Sequence, residues 1–277
     1  MSKLIIGCGY LGKRVARQWL ENGDEAYALT RSEETAEQFH QQGIHPIIGD
    51  VMQPETLSFP ADFTTCLYAI GLDRSAGFSQ REVYVEGLSN VLTAETFQPE
   101  RLIYISSTSV YGQTDGGLIN EESSTEPVRD NGVVCLDAET LVRDQIKTPW
   151  NILRLSGIYG PGRLLARKEK LEAREPMRGN PDGYLNLIHV EDAVQAVLKC
   201  ETNADAVNEL FLISDNRPIL RREYYSLLAE QFGTPEPVFY DVDADNLAKQ
   251  CDNRKARKML GFAPKYGSIE EGVPASL

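Results

Sequence analysis

The sequence predicts an α/β fold of the Rossmann type, a doubly wound parallel sheet with a smaller, interleaved C-terminal substrate lobe. Short apolar runs alternate with helical patterns over the first half of the chain, as they do where crossover helices join parallel strands. A glycine-rich turn lies between the first strand and the first helix. Beyond Gly157 the alternation becomes irregular, which indicates a second lobe.

The predicted elements follow one another closely. The six strands of the first half are Lys3–Ile6, Ala26–Thr30, Ile44–Ile48, Cys66–Ile70, Leu102–Ser106 and Ile152–Leu155. The helices between them are Gly12–Glu21, closed by Asn22-Gly23, and helices near 33–42, 79–97 and 136–146. In the second lobe we expect a strand at Leu185–Ile188, a helix from about Glu191 and a strand at Glu209–Ile213. The domains are therefore placed at 1–156 and 157–277, with segments around 186–215 returning to the sheet.

Composition excludes several classes of protein. The chain has 277 residues and a net charge of −13, with 42% hydrophobic and 25% charged residues, which is typical of a globular fold. The acidic balance argues against nucleic acid as a partner. No apolar run approaches the roughly 18 to 20 residues of a membrane span, and the start of the chain does not resemble a signal peptide. We therefore expect a cytoplasmic protein that does not bind a membrane.

Cysteine and histidine do not suggest a metal site. The chain has five cysteines and three histidines, and none of the cysteines forms a Cys-x-x-Cys pair. Disulfide frameworks and zinc sites both need paired or closely spaced ligands. The sequence therefore predicts neither a disulfide nor a metal centre.

The strongest local signal is the run Gly7-Cys8-Gly9-Tyr10-Leu11-Gly12, which we call the glycine turn. Gly7 permits a tight turn, Gly9 lets a pyrophosphate approach the backbone, and Gly12 allows the helix to pack closely on the strand. The N-terminus of the following helix supplies N–H groups and a positive dipole end to the anion. Because the run lies between a strand and a helix, it predicts dinucleotide binding, and Tyr10 and Leu11 are included among the binding residues.

The end of the second strand bears on which dinucleotide is bound. NAD-selective sites usually carry an acidic residue there, whereas this sequence has Arg31. A guanidinium suits a 2′-phosphate, so Arg31 favours NADP over NAD. The alternative is a solvent-exposed arginine paired with Glu33 or Glu34.

Two further strand ends are expected to line the cofactor. Asp50 and Val51 follow the third strand, and Asp50 is a candidate acceptor for the adenine amino group. The alternative for Asp50 is a cap on a helix or turn. Ala69, near the end of the fourth strand, completes the expected cofactor-binding set.

Several spaced motifs occur in a characteristic order. They are Leu102–Gly112 (LIYISSTSVYG), Leu153–Arg163 (LRLSGIYGPGR), Leu187–Ala193 (LIHVEDA) and the tail Asn253–Tyr266. Together they resemble the extended short-chain dehydrogenase/reductase family, the NAD-dependent epimerase/dehydratases of nucleotide sugars. The resemblance extends over essentially the whole chain and implies a Rossmann fold with a nicotinamide cofactor.

The resemblance fails at the residues that carry that family's proton chemistry. The family uses a Ser or Thr after the fifth strand, a position that Ser107 occupies here. It also uses a Tyr and, four residues after that Tyr, a Lys whose ammonium lowers the tyrosine pKa. Aligning on Glu139 places Asn131 at the tyrosine position and Cys135 at the lysine position. Tyr84, three residues before Gly87, stands where the family often carries asparagine. The resemblance therefore implies a retained cofactor site and an atypical mechanism.

Three residues are candidates to replace the missing acid or base. Tyr111, four residues after Ser107, is a candidate catalytic residue, with packing as a wall residue as its alternative. The Cys135 thiol would be reactive if it lay at the start of a helix, where the helix dipole lowers a thiol pKa. The alternative is an unreactive cysteine that packs in the core. His189 is a candidate acid, base or substrate ligand, with anchoring of a turn before an Asp192 helix cap as the alternative.

The second lobe contains one locally basic segment, from Arg163 to Arg178. In the family that it resembles, this region folds over the substrate, so Arg163 is a candidate substrate ligand. The alternative is a solvent-exposed helix of mixed charge, with pairs such as Lys168 with Glu172.

These observations lead to one main functional hypothesis. The protein is expected to be an NAD(P)-binding epimerase/dehydratase-like or reductase-like oxidoreductase that acts on a nucleotide sugar or a similar polar small molecule. Two alternatives remain: a catalytically silent NAD(P)-binding redox sensor, and an NADP-dependent reductase of a carbonyl that is not on a sugar. The resemblance also suggests a homodimer through the helices near 79–97 and 136–146.

Overall fold

The structure is a computed structural model that describes residues 1–60, 62–240 and 248–277. Its strands are β1 Ser2–Ile6, β2 Glu25–Thr30, β3 His45–Ile48, β4 Thr65–Tyr68, β5 Leu102–Ser107, β6 Leu118–Ile119, β7 Trp150–Leu155, β8 Gly157–Tyr159, β9 Tyr184–Leu185, β10 Leu187–His189, β11 Glu209–Ile213, β12 Ile219–Leu220 and β13 Gln250–Cys251. Its helices are α1 Gly12–Glu21, α2 Glu33–Gln41, α3 Gly87–Thr93, α4 Asp130–Gln145, α5 Leu165–Glu172, α6 Val190–Thr202, α7 Arg221–Phe232, α8 Arg254–Leu260 and α9 Ile269–Gly272.

A seven-stranded sheet has the order β11-β7-β5-β4-β1-β2-β3. The pairs of β1 with β2, β1 with β4, β2 with β3 and β4 with β5 are all parallel. The chain runs outward from β1 to β3 and then returns to β4 on the other side of β1, so the strand order reverses between β1 and β4. In open α/β sheets ligands bind at the carboxyl ends of the strands beside such a reversal. The predicted Rossmann-type sheet is confirmed.

Several predicted elements begin or end elsewhere. Strand β4 stops at Tyr68 rather than at residue 70, and the helix predicted near 79–97 divides into a π-helical turn, Glu82–Glu86, and α3. Helix α4 begins at Asp130, six residues before the predicted start. The Asn-Gly pair in its first turn favours a turn in the sequence pattern. The structure instead needs glycine at Gly132, because a Cβ there would lie 2.3 Å from the carbonyl oxygen of Ser109.

The chain forms two compact units, each made of three segments. The first unit comprises Met1–Val110, Pro127–Arg154 and Val197–Leu210, and the second comprises Tyr111–Glu126, Leu155–Ala196 and Phe211–Leu277. The sequence predicted a boundary after residue 156 with segments around 186–215 returning to the sheet. In the structure the segment Val197–Leu210 belongs to the first unit, and the segment Tyr111–Glu126, before the predicted boundary, belongs to the second. In the described residues, no helix is both long enough and apolar enough to cross a membrane.

A buried carboxylate ties helix α4 to the sheet of the first unit. The Glu139 side chain is fully buried, and it accepts hydrogen bonds from Arg154 Nε at 2.8 Å and Nη2 at 2.6 Å. It also accepts a bond from Ser106 Oγ at 2.6 Å and from Arg143 Nη2 at 3.1 Å. Because Ser106 lies on β5 and Arg154 on β7, one carboxylate fixes the helix against two strands. Such forked, charge-assisted bonds are among the stronger ones in proteins.

We expect Glu139→Gln to lower the free energy of unfolding by about 3–5 kcal/mol, since it leaves the buried Arg154 guanidinium without its countercharge. Urea denaturation followed by circular dichroism measures the change. The matched control is Arg143→Gln, which removes a partly exposed partner of the same carboxylate and should change stability by less than about 1 kcal/mol. Equal effects of the two substitutions would contradict this account of α4.

Candidate functional site

The glycine turn joins β1 to α1, and two of its glycines are required by the protein's own packing. Gly7 has a φ of +98°, and a Cβ there would lie 2.4 Å from the Ala69 carbonyl carbon and the Ile70 nitrogen. A Cβ on Gly12 would lie 2.7 Å from the Gly7 carbonyl oxygen. Both positions therefore exclude any side chain.

Gly9 is different, because nothing in the described part of the chain occupies its Cβ position. A Cβ built there meets no atom within 4 Å, and its φ is not positive. Packing and backbone strain therefore give no reason for glycine at this position. An open space above a glycine of such a turn fits a pyrophosphate that lies directly on the backbone.

The start of α1 also fits an anion. Its N-cap position, Leu11, makes no side-chain cap hydrogen bond, and its first turn holds no acidic residue. The partial positive charge of the helix N-terminus is therefore left for a ligand. A cation lies beside it: Arg14 Nη1 donates to the Tyr10 carbonyl oxygen at 2.8 Å, and the guanidinium stacks 4.1 Å from the Tyr10 ring centre.

Arg31 lies just after β2 and pairs with an acidic residue that the sequence did not indicate. Its Nη2 is 3.2 Å from Asp73 Oδ2, with the two side chains 47% and 51% exposed. Hydrogen bonds from Ser75, and then Arg31 itself, lower the pKa of Asp73. An ion pair this exposed is worth little, so Arg31 can exchange Asp73 for an incoming phosphate.

The remaining predicted cofactor residues lie at the same edge of the sheet. Asp50 Oδ1 accepts a hydrogen bond from the Met52 amide at 2.9 Å, a contact that fits the alternative in which Asp50 caps a turn. Binding of the adenine amino group by Asp50 stays a prediction. Val51 is buried. The Ala69 amide donates to the Ile6 carbonyl oxygen at 2.7 Å, which extends the pairing of β1 and β4 as far as the glycine turn.

The first unit contains a pocket of about 120 Å³ at the carboxyl ends of β4 and β5, which we call the Ser107 pocket. Its lining residues are Tyr68, Ile70, Tyr84, Tyr104, Ile105, Ser106, Ser107 and Cys135.

Two hydroxyl groups in the Ser107 pocket are oriented by backbone amides. Ser107 Oγ accepts a hydrogen bond from the Ser109 amide at 3.1 Å, and Tyr84 Oη accepts one from the Leu72 amide at 3.2 Å. In each bond the hydroxyl oxygen is the acceptor, so the hydroxyl hydrogen is left to donate elsewhere.

The titratable groups of the Ser107 pocket are held in their neutral forms. Burial raises the pKa of Tyr68, Tyr84, Tyr104 and Cys135, and none of the lining residues is a cation. Of the two alternatives for Cys135, activation by a helix start is wrong, because α4 begins five residues before it. Burial and the nearby Glu139 carboxylate both raise the pKa of this thiol.

Tyr111, the predicted catalytic tyrosine, belongs to the second unit. Its side chain is fully buried. Lys249 Nζ donates to the Tyr111 carbonyl oxygen and lies 5.9 Å from the centre of its ring. These contacts fit the wall-packing alternative, and a catalytic role for Tyr111 stays a prediction.

His189 and Arg163, the predicted substrate ligands, also lie in the second unit. His189 is buried between Tyr159 and Tyr266, with ring centroids 5.2 and 4.2 Å away. Its Nδ1 accepts a bond from the Glu191 amide, and its Nε2 lies 3.2 Å from Ser276 Oγ. These contacts favour the anchoring alternative. Arg163 is exposed on the surface and donates to the Ile158 carbonyl oxygen at 3.3 Å.

The turn around His189 is also anchored by Asp192, though not through the expected helix cap. Asp192 lies inside the first turn of α6. Its carboxylate accepts the backbone amides of Lys265 at 2.6 Å and Tyr266 at 3.1 Å. The contacts therefore join α6 to the tail of the chain.

Sequence reasoning assigned no chemical role to Tyr68 and Tyr84. Tyr68 lies in an apolar strand and is typical of a core residue, and Tyr84 was noted only as a departure from the family's asparagine. A signal was available for Tyr68, because the carboxyl ends of adjacent parallel strands meet at one edge of a sheet and side chains near the ends of β4 and β5 therefore converge. Tyr84 lies outside both strands, in the π-helical turn Glu82–Glu86, and no such rule points to it.

Comparisons with known proteins show the family and the fold. The sequence model of the NAD dependent epimerase/dehydratase family matches residues 4–213. Protein YeeZ of Escherichia coli (strain K12) is 26% identical over 269 residues, covering 95% of each chain. Human short-chain dehydrogenase/reductase family 42E member 1 is 26% identical, covering 83% of this chain and 67% of that protein. UDP-glucuronic acid 4-epimerase from Bacillus cereus in complex with NAD shares the fold, with a TM-score of 0.80, 19% identity and coverage of 100% and 97%.

The second unit holds a carboxyl group whose burial is not fully compensated. Asp215 is 2% exposed. Its Oδ1 accepts a bond from the Arg217 amide at 3.2 Å, and its Oδ2 has no hydrogen-bond partner in the described part of the chain. Burial raises the pKa of Asp215 to about 8, and the carboxylates of Glu270 and Asp192 add to the rise. The folded protein therefore keeps a proton that the unfolded chain loses near its ordinary pKa of about 4.

We expect Asp215 to make the protein less stable as the pH rises from about 4 to about 8. In this window the folded state binds one more proton than the unfolded state, so the free energy of unfolding falls, by at most about 1.4 kcal/mol per pH unit. Asp215→Asn removes this contribution. Urea unfolding at several pH values should show the variant gaining stability over the parent as the pH rises, while the exposed control Asp144→Asn should show no such trend. Parallel pH profiles for the parent and Asp215→Asn would contradict the assignment.

Proposed function

Because this chain belongs to the NAD dependent epimerase/dehydratase family, we propose that it is an NAD(P)-dependent oxidoreductase whose dinucleotide lies on the glycine turn, with the nicotinamide end at the Ser107 pocket. The single observation that carries the proposal is the open space above Gly9. The neighbouring glycines are needed by the fold itself, whereas the glycine at this position is explained by a ligand.

Different parts of the first unit bind different parts of the dinucleotide. The N-terminus of α1 holds the pyrophosphate, and the ends of β2 and β3 flank the adenosine half. When bound, the nicotinamide ring supplies the hydride chemistry. Ser107 donates its hydroxyl hydrogen to the substrate oxygen, an orientation that the Ser109 amide fixes. Hydroxyls held in this way can bind the reacting oxygen without reorganising.

We also propose a preference for NADP over NAD. The support is Arg31, an exposed guanidinium at the end of β2 whose weak ion pair with Asp73 can be exchanged. Asp73 competes with a 2′-phosphate for the same guanidinium, so the strength of the preference depends on both residues.

The substrate is proposed to be a nucleotide sugar or a similar polar small molecule, since the Bacillus cereus relative is a UDP-glucuronic acid 4-epimerase. The basic segment from Arg163 to Arg178 would face its phosphates. Helix α5 lies in this segment, with Lys168 paired to Glu172 and Lys170 to Glu175, both at 3.7 Å. These exposed pairs are weak enough to be displaced by a diphosphate. A homodimer is proposed from the family resemblance alone.

A catalytically silent redox sensor is the second candidate function. The observation that favours it is the absence of any cation among the lining residues of the Ser107 pocket, where the family it resembles places a lysine. A sensor would bind the dinucleotide as an enzyme with this site would, but it would reduce no carbonyl compound.

We expect Gly9→Ala to abolish most dinucleotide binding while leaving the fold intact. The new methyl group meets no protein atom within 4 Å, and it occupies the place proposed for the pyrophosphate. Fluorescence titration with NADPH should show a loss of affinity of about 10-fold or more, which corresponds to about 1.4 kcal/mol. The melting temperature should stay near that of the parent. Gly7→Ala is the matched control, because its methyl group collides with the backbone and should destabilise the fold. Unchanged NADPH affinity in Gly9→Ala would overturn the proposed cofactor site.

We expect Arg31→Ala to weaken NADPH binding about 10-fold more than NADH binding, since only NADPH carries the 2′-phosphate. Asp73→Asn should act in the opposite direction, because it frees the guanidinium without removing it. Both variants are compared by fluorescence titration with each cofactor. Equal losses for the two cofactors in Arg31→Ala, or tighter binding of NADH than NADPH by the parent, would contradict an NADP preference.

A further inference from the structure

We propose that Tyr84 is the proton donor of this site, protonating the oxygen of an uncharged carbonyl group that Ser107 orients, and that the protein is therefore a carbonyl reductase. The inference rests on the proposed function, because the hydride comes from the reduced dinucleotide. It adds the identity of the acid, the direction of the reaction and the class of group that enters the Ser107 pocket.

Tyr84 occupies an unusual place in the backbone. It lies in the π-helical turn Glu82–Glu86 that precedes α3. Turns of this kind are rare in helices and are often found at functional sites. The side chain lines the Ser107 pocket together with Ser107 itself, so the two hydroxyl-bearing residues share one small space.

The orientation of the Tyr84 hydroxyl suits an acid. Its oxygen accepts the hydrogen of the Leu72 amide at 3.2 Å. A phenol that accepts a bond in this way keeps its own hydrogen for a second partner. A carbonyl oxygen in the pocket can accept one hydrogen bond from Tyr84 and one from Ser107, which matches its two lone pairs.

A second tyrosine indicates that the pocket binds a polar group. Tyr68 is 2% exposed, lines the same pocket, and its hydroxyl has no hydrogen-bond partner in the described residues. Buried hydroxyls in folded proteins nearly always find a partner. About 120 Å³ is enough for a carbonyl group or a few water molecules, so the missing partner is supplied by what the pocket holds. Water against Tyr68 would also return a proton to Tyr84 between turnovers.

The surroundings of Tyr84 keep it in the protonated form that reduction of a carbonyl group requires. The titratable groups that face it are Cys135 on α4, Tyr68 on β4 and Tyr104 on β5, and burial raises the pKa of each. Burial also raises the pKa of Tyr84. None of the lining residues of the pocket is a cation that would stabilise the phenolate. Tyr84 therefore begins the reaction as a neutral phenol, which can protonate a developing alkoxide, a far stronger base than phenolate.

The atoms and electrons of the step balance. The carbonyl carbon accepts a hydride, with its electron pair, from the reduced nicotinamide, and the C–O double bond becomes a single bond. The carbonyl oxygen takes the Tyr84 proton. The carbonyl compound is reduced to an alcohol, the dinucleotide is oxidised, and the Tyr84 phenolate is reprotonated from water.

The test compares the parent with Tyr84→Phe and with the control Tyr27→Phe, which changes a partly buried tyrosine of β2 that stacks on His45. NADPH affinity is measured first by fluorescence. The carbonyl probes are cyclohexanone and a UDP-linked 4-ketosugar, with NADPH oxidation followed at saturating cofactor. In parallel, protein labelled with ¹³C at the tyrosine Cζ atoms is titrated with each probe in the presence of NADP, and the Tyr84 signal is identified by its loss in Tyr84→Phe.

We expect the Tyr84 signal to shift on adding a carbonyl probe and the Tyr27 signal to stay in place. We expect Tyr84→Phe to keep the parent's NADPH affinity and to lose about 10²–10⁴-fold in kcat, with Tyr27→Phe unchanged. If the parent binds NADPH but neither probe moves the Tyr84 signal, or if Tyr84→Phe retains the parent's kcat, the proposal is overturned and the cofactor site stands. If the parent does not bind a dinucleotide at all, the proposed function fails, and this inference fails with it.

Discussion

The Ser107 pocket depends on one buried ion pair. Glu139 accepts two bonds from Arg154 and one from Ser106, and so fixes α4 against β5 and β7. Helix α4 carries Cys135 into the pocket, and β5 ends at the serine that the pocket is named for. A buried carboxylate is costly unless it is fully paired, and here a fourth hydrogen bond, from Arg143, completes its pairing. The same group therefore sets the wall of the pocket, and its negative charge adds to the effect of burial in raising the pKa of the neighbouring Cys135 thiol.

A pocket built from neutral groups behaves differently from one that contains a lysine. An ammonium stabilises phenolate and lets a tyrosine act as either acid or base. In the Ser107 pocket burial favours the neutral phenol and thiol, so these groups donate hydrogen bonds and give up a proton only to a strong base such as a developing alkoxide. The site can therefore stay reactive without the family's tyrosine and lysine, with a different group holding the proton.

The sequence predicted the sheet well because local constraints fixed it. Within one strand–turn–helix unit, Gly7 needs a positive φ and Gly12 approaches the Gly7 carbonyl oxygen, and such constraints are readable from spacing. The start of α4 was missed because the glycine in its first turn is explained only by contact with Ser109, which is distant in sequence. The role of Tyr84 was missed for the same reason: its partners come from β4, β5 and the backbone at Leu72. Residues that meet only in three dimensions give no periodic signal.

The proposed function requires the dinucleotide to lie on the glycine turn with its nicotinamide ring against the Ser107 pocket. A crystal structure of the protein with NADPH bound would locate both ends of the cofactor. We expect pyrophosphate oxygens over Gly9 and the reactive C4 edge of the nicotinamide facing the hydroxyls of Ser107 and Tyr84. A nicotinamide ring bound away from this pocket, or a dinucleotide that does not contact the glycine turn, would contradict the proposed function.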